Sequence, residues 1–170
     1  TGSGVTRIGK NLLALLQGCG SLGIHRTVDT SGFAPTDTLM DIAAHTDLFL
    51  FDLKHMDSKR HQHYTGVGND LILHNLQTLS SSGHAVRVRI PLIPGINDDE
   101  ENIRASGSFI AGCTNVQGID VLPYHPSATA KYKKLGREYK GQNYQPPSQK
   151  IINRTLGLLR EYVADVQIGG

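Results

Sequence analysis

Polar and charged side chains follow the apolar runs of this sequence, at the points where predicted strands end. They are, in chain order, Asp29, Thr30, Ser31, Asp52, Lys54, Arg89, Tyr124 and His125. In parallel α/β proteins, ligands bind outside the carboxyl ends of the strands. Carboxylates there can bind amino or hydroxyl groups, and Lys or Arg can bind carboxylates or phosphates. The set therefore predicts a site for a zwitterionic or nucleotide-like ligand.

Several of these residues also have a purely structural interpretation. Asp29 could form an Asx-turn that leads into Gly32. Asp52 follows four apolar residues, so we expect it to be buried and partnered, and Lys54 points the same way on an extended strand. A lone histidine such as His125 is as often structural as catalytic.

Two further pairs of residues, one of arginines and one of histidines, need separate interpretations. We expect one of Arg87 and Arg89 to face solvent, and the sequence leaves open which one. His61 and His63 are spaced like a pair of metal ligands, but no third ligand is near them in the sequence. We therefore expect both histidines to lie at the surface.

The elements that must position these residues follow from the apolar periods of the chain. Helical spacing predicts helices over residues 8–19, 36–45, 70–81, 98–110 and 148–162, the second capped by Thr36 or Asp37. Short apolar runs predict strands over 24–28, 48–51, 86–90, 119–122 and 163–168.

Strands that alternate with helices indicate a parallel sheet built from βαβ units. A closed eight-fold barrel needs ~250 residues, so 170 residues predict an α/β fold that is an open parallel sheet or a partial TIM-type barrel. We expect residues 1–170 to form a single domain. The first helix has no strand before it, so either the fold begins with a helix or a βα unit is truncated at the N-terminus.

Composition narrows the classes of function. A net charge of +2 argues against a nucleic-acid partner. No apolar run reaches the ~18 residues of a membrane span and no signal peptide opens the chain, so we expect a cytoplasmic protein without a membrane partner. Cys19 and Cys113 are the two cysteines, too few to hold an iron–sulfur cluster or a structural zinc by themselves.

One dense basic run follows the strand that precedes His125. It consists of Lys131, Lys133, Lys134, Arg137 and Lys140. Most such runs are solvated surfaces, although this one could reach the mouth of the site or a docked partner.

Five stretches match, in order and with matching gaps, the motifs of one known family. They are G-I-H-x-x-x-D-T-S-G at 23–32, D-L-x-L-x-D-L-K-x-M-D at 47–57, Thr65-Gly66 through Asn75-Leu76, R-x-P-x-I-P-G-x-N-D at 89–98, and L-P-Y-H at 122–125 with Lys131-Tyr132 and Leu135-Gly136 after it. The chain, from about Leu12 to its end, resembles the glycyl-radical enzyme activating enzymes. Pyruvate formate-lyase activating enzyme is the best-known member of this family, which belongs to the radical S-adenosylmethionine superfamily.

The resemblance implies a six-unit partial barrel and an enzyme of anaerobic metabolism. In the family, a [4Fe–4S] cluster and S-adenosylmethionine generate a radical that takes a hydrogen atom from a backbone glycine of a partner enzyme. The implied partners are a glycyl-radical enzyme of the pyruvate formate-lyase type and an electron donor such as flavodoxin. Which glycyl-radical enzyme is the target stays open.

The resemblance also implies roles for the residues at the strand ends. Asp29 and Thr30 would help to fix the carboxylate of the cofactor's methionine part through a monovalent cation, and Ser31 would also bind the cofactor. The cofactor and the partner's glycine loop would be positioned by Asp52, Lys54, Arg89 and His125. Of these, Lys54, Arg89 and His125 are the residues assigned to catalysis.

The sequence departs from the family pattern in three places. It has no C-x-x-x-C-x-x-C motif for the cluster and no G-G-E-P motif for the methionine amino group, and 127–130 replaces a segment that usually carries glycine. The chain therefore resembles a C-terminal portion of the family's barrel. We expect it to be inactive alone, to bind S-adenosylmethionine weakly or not at all, and to hold no cluster.

Two other classes of function remain open. The chain could be a cluster-free module that binds only a ligand or a partner. It could also be a lyase or aldolase that uses Lys54 as a Schiff base, although Asp52 beside it should keep that lysine charged.

Overall fold

The chain folds into a parallel α/β structure. The computed structural model describes residues 2–126 and 144–169. In chain order its elements are α1 (Gly2–Ser21), β1 (Thr27–Thr30), α2 (Thr36–Ala43), β2 (Leu48–Asp52), α3 (Ser58–Thr65), α4 (Asp70–Ser81), β3 (Val86–Leu92), α5 (Glu100–Ala111), β4 (Val116–Pro123), α6 (Gln149–Arg160) and β5 (Val166–Ile168). The strands form one parallel sheet in the order β1-β2-β3-β4-β5. The prediction of an α/β fold with a parallel sheet is confirmed.

One face of the sheet is apolar and forms the core. Phe49, Phe51, Val88 and Ile119 are fully buried there, in one cluster with the apolar residues of the helices. Each fully buried side chain of this kind contributes about 1.5–3 kcal/mol to folding. Apolar residues of α1, α2, α4, α5 and α6 therefore cover this face of the sheet.

The opposite face carries charged side chains and is called the polar face below. In the register, Asp29 pairs with Leu50, Asp52 pairs with Arg89, and Arg89 pairs with Asp120. Paired residues in neighbouring strands project from the same side, because side chains alternate along each strand. The sequence thereby brings charges from four strands to one surface.

The elements differ from the predictions where apolar spacing is a poor guide. Helix α4 has the predicted bounds, but α1 begins at Gly2 and β1 begins three residues later than predicted. Helix α3 was not predicted, because His61 is its one buried residue. Its N-cap is Asp57, whose carboxylate accepts the Arg60 backbone N–H at 2.7 Å, and its C-cap is Gly66, which has a positive φ of 87°.

Helix α2 begins without the predicted side-chain cap. Pro35 occupies the capping position, and neither Thr36 nor Asp37 caps the helix. The Thr36 hydroxyl instead donates to Asn75 Oδ1 at 2.8 Å. Thr36 thus ties the start of α2 to α4.

The structure bears in a limited way on two features of the sequence, its apolar runs and its basic run. None of the helices within 2–126 and 144–169 is long and apolar enough to cross a membrane. The basic run of Lys131, Lys133, Lys134, Arg137 and Lys140 lies outside the described residues, as does the segment 127–130.

Candidate functional site

Four of the predicted site residues form one connected ion network on the polar face. Arg89 donates from Nε and Nη2 to Asp52 Oδ1, at 3.0 and 2.8 Å, and also donates to Asp29. Lys54 Nζ donates to Asp52 Oδ2 at 3.1 Å. Two carboxylates and two cations thus balance in charge. This group is called the ion network below.

The ion network combines a buried centre with an exposed edge. The Arg89 side chain is 15% exposed, whereas that of Asp29 is 60% exposed. Burial lowers the pKa of the Arg89 guanidinium, but its hydrogen bonds to Asp29 and Asp52 outweigh burial, so the net shift is upward. Arg89 is therefore a fixed positive charge, and Asp29 can also meet a ligand.

The position of Arg89 corrects the prediction for the two arginines of β3. Arg87 and Arg89 lie two residues apart in one strand, so both project from the polar face, and neither is exposed to solvent. The prediction that one of them faces solvent is wrong, because a two-residue separation returns to the same side of a strand.

Arg87 belongs to a second cluster on the polar face. It donates to Asp120, which is buried in β4, and to Asp165, each at 2.7 Å. Gly118 leaves space for this arrangement, because a Cβ there would lie 2.8 Å from Arg87 Nη1 and 2.7 Å from Asp165 Oδ2. The cluster fixes β3, β4 and the start of β5 relative to one another.

The turn after β1 uses Thr30 rather than Asp29. Thr30 Oγ1 accepts the Gly32 backbone N–H at 3.0 Å, while Asp29 binds Arg89. The Asx-turn at Asp29 is therefore wrong, since the threonine makes the equivalent turn. Ser31 is exposed and lines a cavity of about 310 Å³ together with Asp52 and Lys54. A monovalent cation at Asp29 and Thr30 stays a prediction.

Buried asparagines hold the loops that carry the site. Asn75 donates to the Gly32 and Ala34 carbonyls after β1, at 2.7 and 2.8 Å. Asn97 donates to the Lys54 and Pro91 carbonyls, at 2.9 and 2.6 Å, and so joins the ends of β2 and β3. A buried amide that satisfies two backbone acceptors fixes loop geometry strongly, because breaking it leaves buried groups unpaired. In the sequence, Asn75 and Asn97 stood out only as members of the motifs, and their contacts with the loops were not predicted.

A larger cavity of about 460 Å³ lies beside the ion network at the carboxyl ends of β2, β3 and β4. Lys54, His61, Tyr64, Pro91, Tyr124 and Tyr144 are among its lining residues. Lys54, His61 and Thr65 also line the smaller cavity, so the two cavities adjoin. A volume of this size is typical of a ligand site.

The structure places His61 in the interior, against the surface prediction. His61 is 3% exposed, and its Nδ1 lies 2.7 Å from the Val67 carbonyl oxygen. His63 is exposed, as predicted. The prediction that His61 lies at the surface is wrong. Helix α3 has no regular spacing of apolar residues, so its sequence does not indicate which side faces the interior.

His125 is not brought into the ion network. It lies exposed two residues beyond β4, and among the described residues no hydrogen bond or ion pair joins it to the four charged side chains. Its role stays a prediction.

Comparison with known proteins identifies the family. No protein-family model matches the chain. It is 38% identical over 178 residues to the choline trimethylamine-lyase activating enzyme of Oleidesulfovibrio alaskensis. The aligned region covers 99% of this chain and 57% of that protein. It is 33% identical to the pyruvate formate-lyase 1-activating enzyme of Escherichia coli K12, covering 95% of this chain and 70% of that protein. A solved domain of the pyruvate-formate lyase-activating enzyme from Bacteroides vulgatus superimposes with a TM-score of 0.82 at 33% identity, covering 100% of this chain and 96% of that one.

The chain belongs to the glycyl-radical enzyme activating enzymes. Its fold is that of the radical S-adenosylmethionine enzymes. The chain spans a little over half the length of the Oleidesulfovibrio activating enzyme, at 57%.

The cysteines of this activating-enzyme chain do not fit the cluster of the family. Cys19 lies near the end of α1 and Cys113 follows α5, so both precede strands, whereas the ion network lies toward the strands' carboxyl ends. Both are free, and burial raises the pKa of the Cys113 thiol. A [4Fe–4S] cluster is held by several cysteine thiolates at one place. Two separate thiols do not provide that.

The polar residues do fit the amino-acid part of S-adenosylmethionine. A methionine group carries one ammonium and one carboxylate, and the ion network offers carboxylates and cations within one hydrogen-bonded group. Within the described ranges, no group of three or more His, Cys, Asp or Glu side chains is arranged to hold a metal ion.

His55, beside the larger cavity, predicts how stability depends on pH. His55 is buried, its Nδ1 accepts the Asp57 backbone N–H at 3.0 Å, and its Nε2 has no partner among the described residues. Desolvation by burial is the main cause that lowers the pKa of His55. Below about pH 6.5 the unfolded chain then binds a proton that the folded chain does not, so the free energy of unfolding falls as pH falls.

We expect urea denaturation to show lower stability at about pH 5.5 than at about pH 7.5. A His55→Asn variant keeps an acceptor for the Asp57 N–H but cannot titrate, so its stability should fall less over the same range. An equal fall in both proteins would contradict this origin of the pH dependence.

Proposed function

We propose that this chain is the cofactor- and partner-receiving part of an enzyme that generates a glycyl radical on a partner such as pyruvate formate-lyase. The ion network of Asp29, Asp52, Lys54 and Arg89 carries this proposal, because those residues stand in the family's motifs and contact one another. The complete enzyme would use a [4Fe–4S] cluster and S-adenosylmethionine. Residues 1–170 would form one domain, the carboxyl-terminal portion of a radical S-adenosylmethionine barrel.

Each charged residue of the ion network has a distinct task in this proposal. Asp29 and Thr30 help to fix the carboxylate of the methionine part, with a monovalent cation between them and it, and Ser31 offers a hydroxyl beside them. Asp52, Lys54 and Arg89 position the cofactor and the partner's glycine loop. Because Arg89 is already fixed by two carboxylates, the polar face is organised before the ligand arrives.

When bound together with the cluster, S-adenosylmethionine supplies a radical that removes a hydrogen atom. The two cysteines do not fit the cluster, so no step of that chemistry is assigned to this chain. The chain's own part is to bind and orient the cofactor and the partner's glycine loop. We therefore propose that the chain is inactive alone and binds S-adenosylmethionine weakly.

A Schiff-base lyase is less well supported than this proposal. Lys54 Nζ lies 3.1 Å from Asp52 Oδ2 in an ion pair, whereas Schiff-base chemistry needs a lysine that can react as a free amine. Borohydride trapping with a carbonyl substrate tests this alternative, and a covalent adduct at Lys54 would favour it. A cluster-free module that binds only a partner is tested by the next experiment.

The proposal is tested by supplying the cluster. The chain is joined to a C-x-x-x-C-x-x-C segment from an activating enzyme, reconstituted anaerobically, and given S-adenosylmethionine with reduced flavodoxin as the proposed electron donor. Pyruvate formate-lyase and choline trimethylamine-lyase serve as partner enzymes. We expect electron paramagnetic resonance to detect a glycyl radical on at least one of them.

The control is the 170-residue chain without the added segment, which should give no radical. Absence of a radical on both partner enzymes would overturn the proposal, provided that the E. coli activating enzyme succeeds with pyruvate formate-lyase in the same assay.

A further inference from the structure

His61 is a buried side chain whose ring is fixed by the backbone. Its Nδ1 lies 2.7 Å from the Val67 carbonyl oxygen, which can only accept, so Nδ1 carries a proton. Thr65 Oγ1 lies 3.0 Å from the same nitrogen and donates to the His61 carbonyl at 2.7 Å. In the neutral ring, Nε2 is then a hydrogen-bond acceptor.

His61 lines both of the adjoining cavities. Within the residues that the structure describes, none of the hydrogen bonds uses its Nε2. Among the described residues, His55 Nε2 is a buried polar atom without a partner, whereas His61 Nε2 is not such an atom. His61, with its fixed ring, thus lines the same two cavities as Lys54.

Exposed aromatic side chains beside these cavities favour a polypeptide as the occupant. Phe33 lines the smaller cavity and is 51% exposed, and Tyr64 lines the larger one and is 43% exposed. Exposed aromatic residues are enriched where proteins bind other proteins, because they contribute a large contact area. The donor that a polypeptide always supplies is its backbone N–H.

We propose that His61 is a positioning residue that accepts a backbone N–H of the partner's glycine loop through Nε2. This inference rests on the proposed function, and it names a contact that selects the orientation of the bound peptide. The acceptor is specific for a donor group, so a peptide whose amide is methylated at that place binds less well.

Two substitutions separate this role from a structural one. His61→Asn keeps a donor for the Val67 carbonyl and loses the acceptor at the Nε2 position. His61→Gln keeps a polar group near the Nε2 position and loses the donor to Val67. If His61 positions the peptide, the asparagine variant loses binding with little loss of stability, and the glutamine variant shows the reverse.

The measurement is fluorescence anisotropy of a labelled peptide that spans the radical glycine of pyruvate formate-lyase, titrated with the 170-residue chain in the absence of S-adenosylmethionine. We expect His61→Asn to weaken peptide binding by about three- to tenfold, the usual effect of one neutral hydrogen bond. A peptide series with single N-methylated amides should contain one member that binds the wild type as weakly as it binds His61→Asn.

The inference is overturned if the wild-type chain does not bind the peptide, or if His61→Asn binds it as tightly as the wild type. It is also overturned if both variants lose stability and peptide affinity together, since that is the result of a structural role. The proposed function fails separately, by the absence of a glycyl radical in the reconstituted enzyme.

Discussion

Replacing Arg89 with leucine is expected to lower the rate of glycyl-radical formation by about 100-fold in the cluster-bearing form of this protein. Arg89 joins Asp29 to Asp52, and its side chain is 15% exposed. Without it, two carboxylates remain beside each other on the polar face with only Lys54 to compensate them. They would repel the carboxylate of the bound methionine group, and Asp29 would lose its partner.

The measurement is the initial rate of radical formation by electron paramagnetic resonance, with the S-adenosylmethionine concentration varied. A matched control is Arg104→Leu, which removes an arginine that pairs with Glu100 and Glu161 at a more exposed place, 38% exposed. Exposed pairs contribute little to stability, so this control should keep its rate. Equal rates for Arg89→Leu and the control would show that the ion network does not serve the reaction.

Replacing Gly32 with alanine is expected to lower the free energy of unfolding by about 3–5 kcal/mol. Gly32 has a φ of 71°, and a Cβ there would lie 2.1 Å from Cζ of Phe51. Phe51 is fully buried in β2, so its ring cannot move aside without disturbing the core. The same substitution displaces the turn that carries Thr30 and Ser31, so the site should be lost with the stability.

Urea denaturation measures this effect, with Gly157→Ala as the control. Gly157 lies inside helix α6 without a positive φ, and a Cβ there meets nothing within 4 Å. That change should raise the free energy of unfolding by roughly 0.5–1 kcal/mol, because alanine favours the helix. A Gly32→Ala protein that unfolds within about 0.5 kcal/mol of the wild type would contradict the close contact with Phe51.

Sequence analysis could predict where the four residues of the ion network lie, because the strands that carry them are recognisable as apolar runs. These residues are Asp29, Asp52, Lys54 and Arg89. Neighbouring parallel strands place their paired residues side by side, so polar residues at paired positions lie close together. The prediction placed Asp29 and Asp52 just beyond the strands at 24–28 and 48–51, whereas both lie within β1 and β2 and project from the polar face. The period of two, applied fully to β3, would have found the shared direction of Arg87 and Arg89.

The buried position of His61 could not be predicted, because it depends on contacts with the backbone. Helix α3 is polar and short, and its stability comes from Asp57 and Gly66 at its ends. What fixes the His61 ring is the Val67 carbonyl, a backbone atom that no side-chain pattern reports. The partners of Asn75 and Asn97 were hidden for the same reason, because they are backbone carbonyls of loops that come together only in the fold.

Titration calorimetry of S-adenosylmethionine into the 170-residue chain tests the central claim most directly. That claim is that the chain contains the residues that receive the cofactor but not those that hold the cluster. It predicts a Kd weaker than about 1 mM, because in the proposed function the ion network would contact only the amino-acid part of the ligand. A micromolar Kd would contradict it, since the chain would then bind the cofactor fully without a cluster.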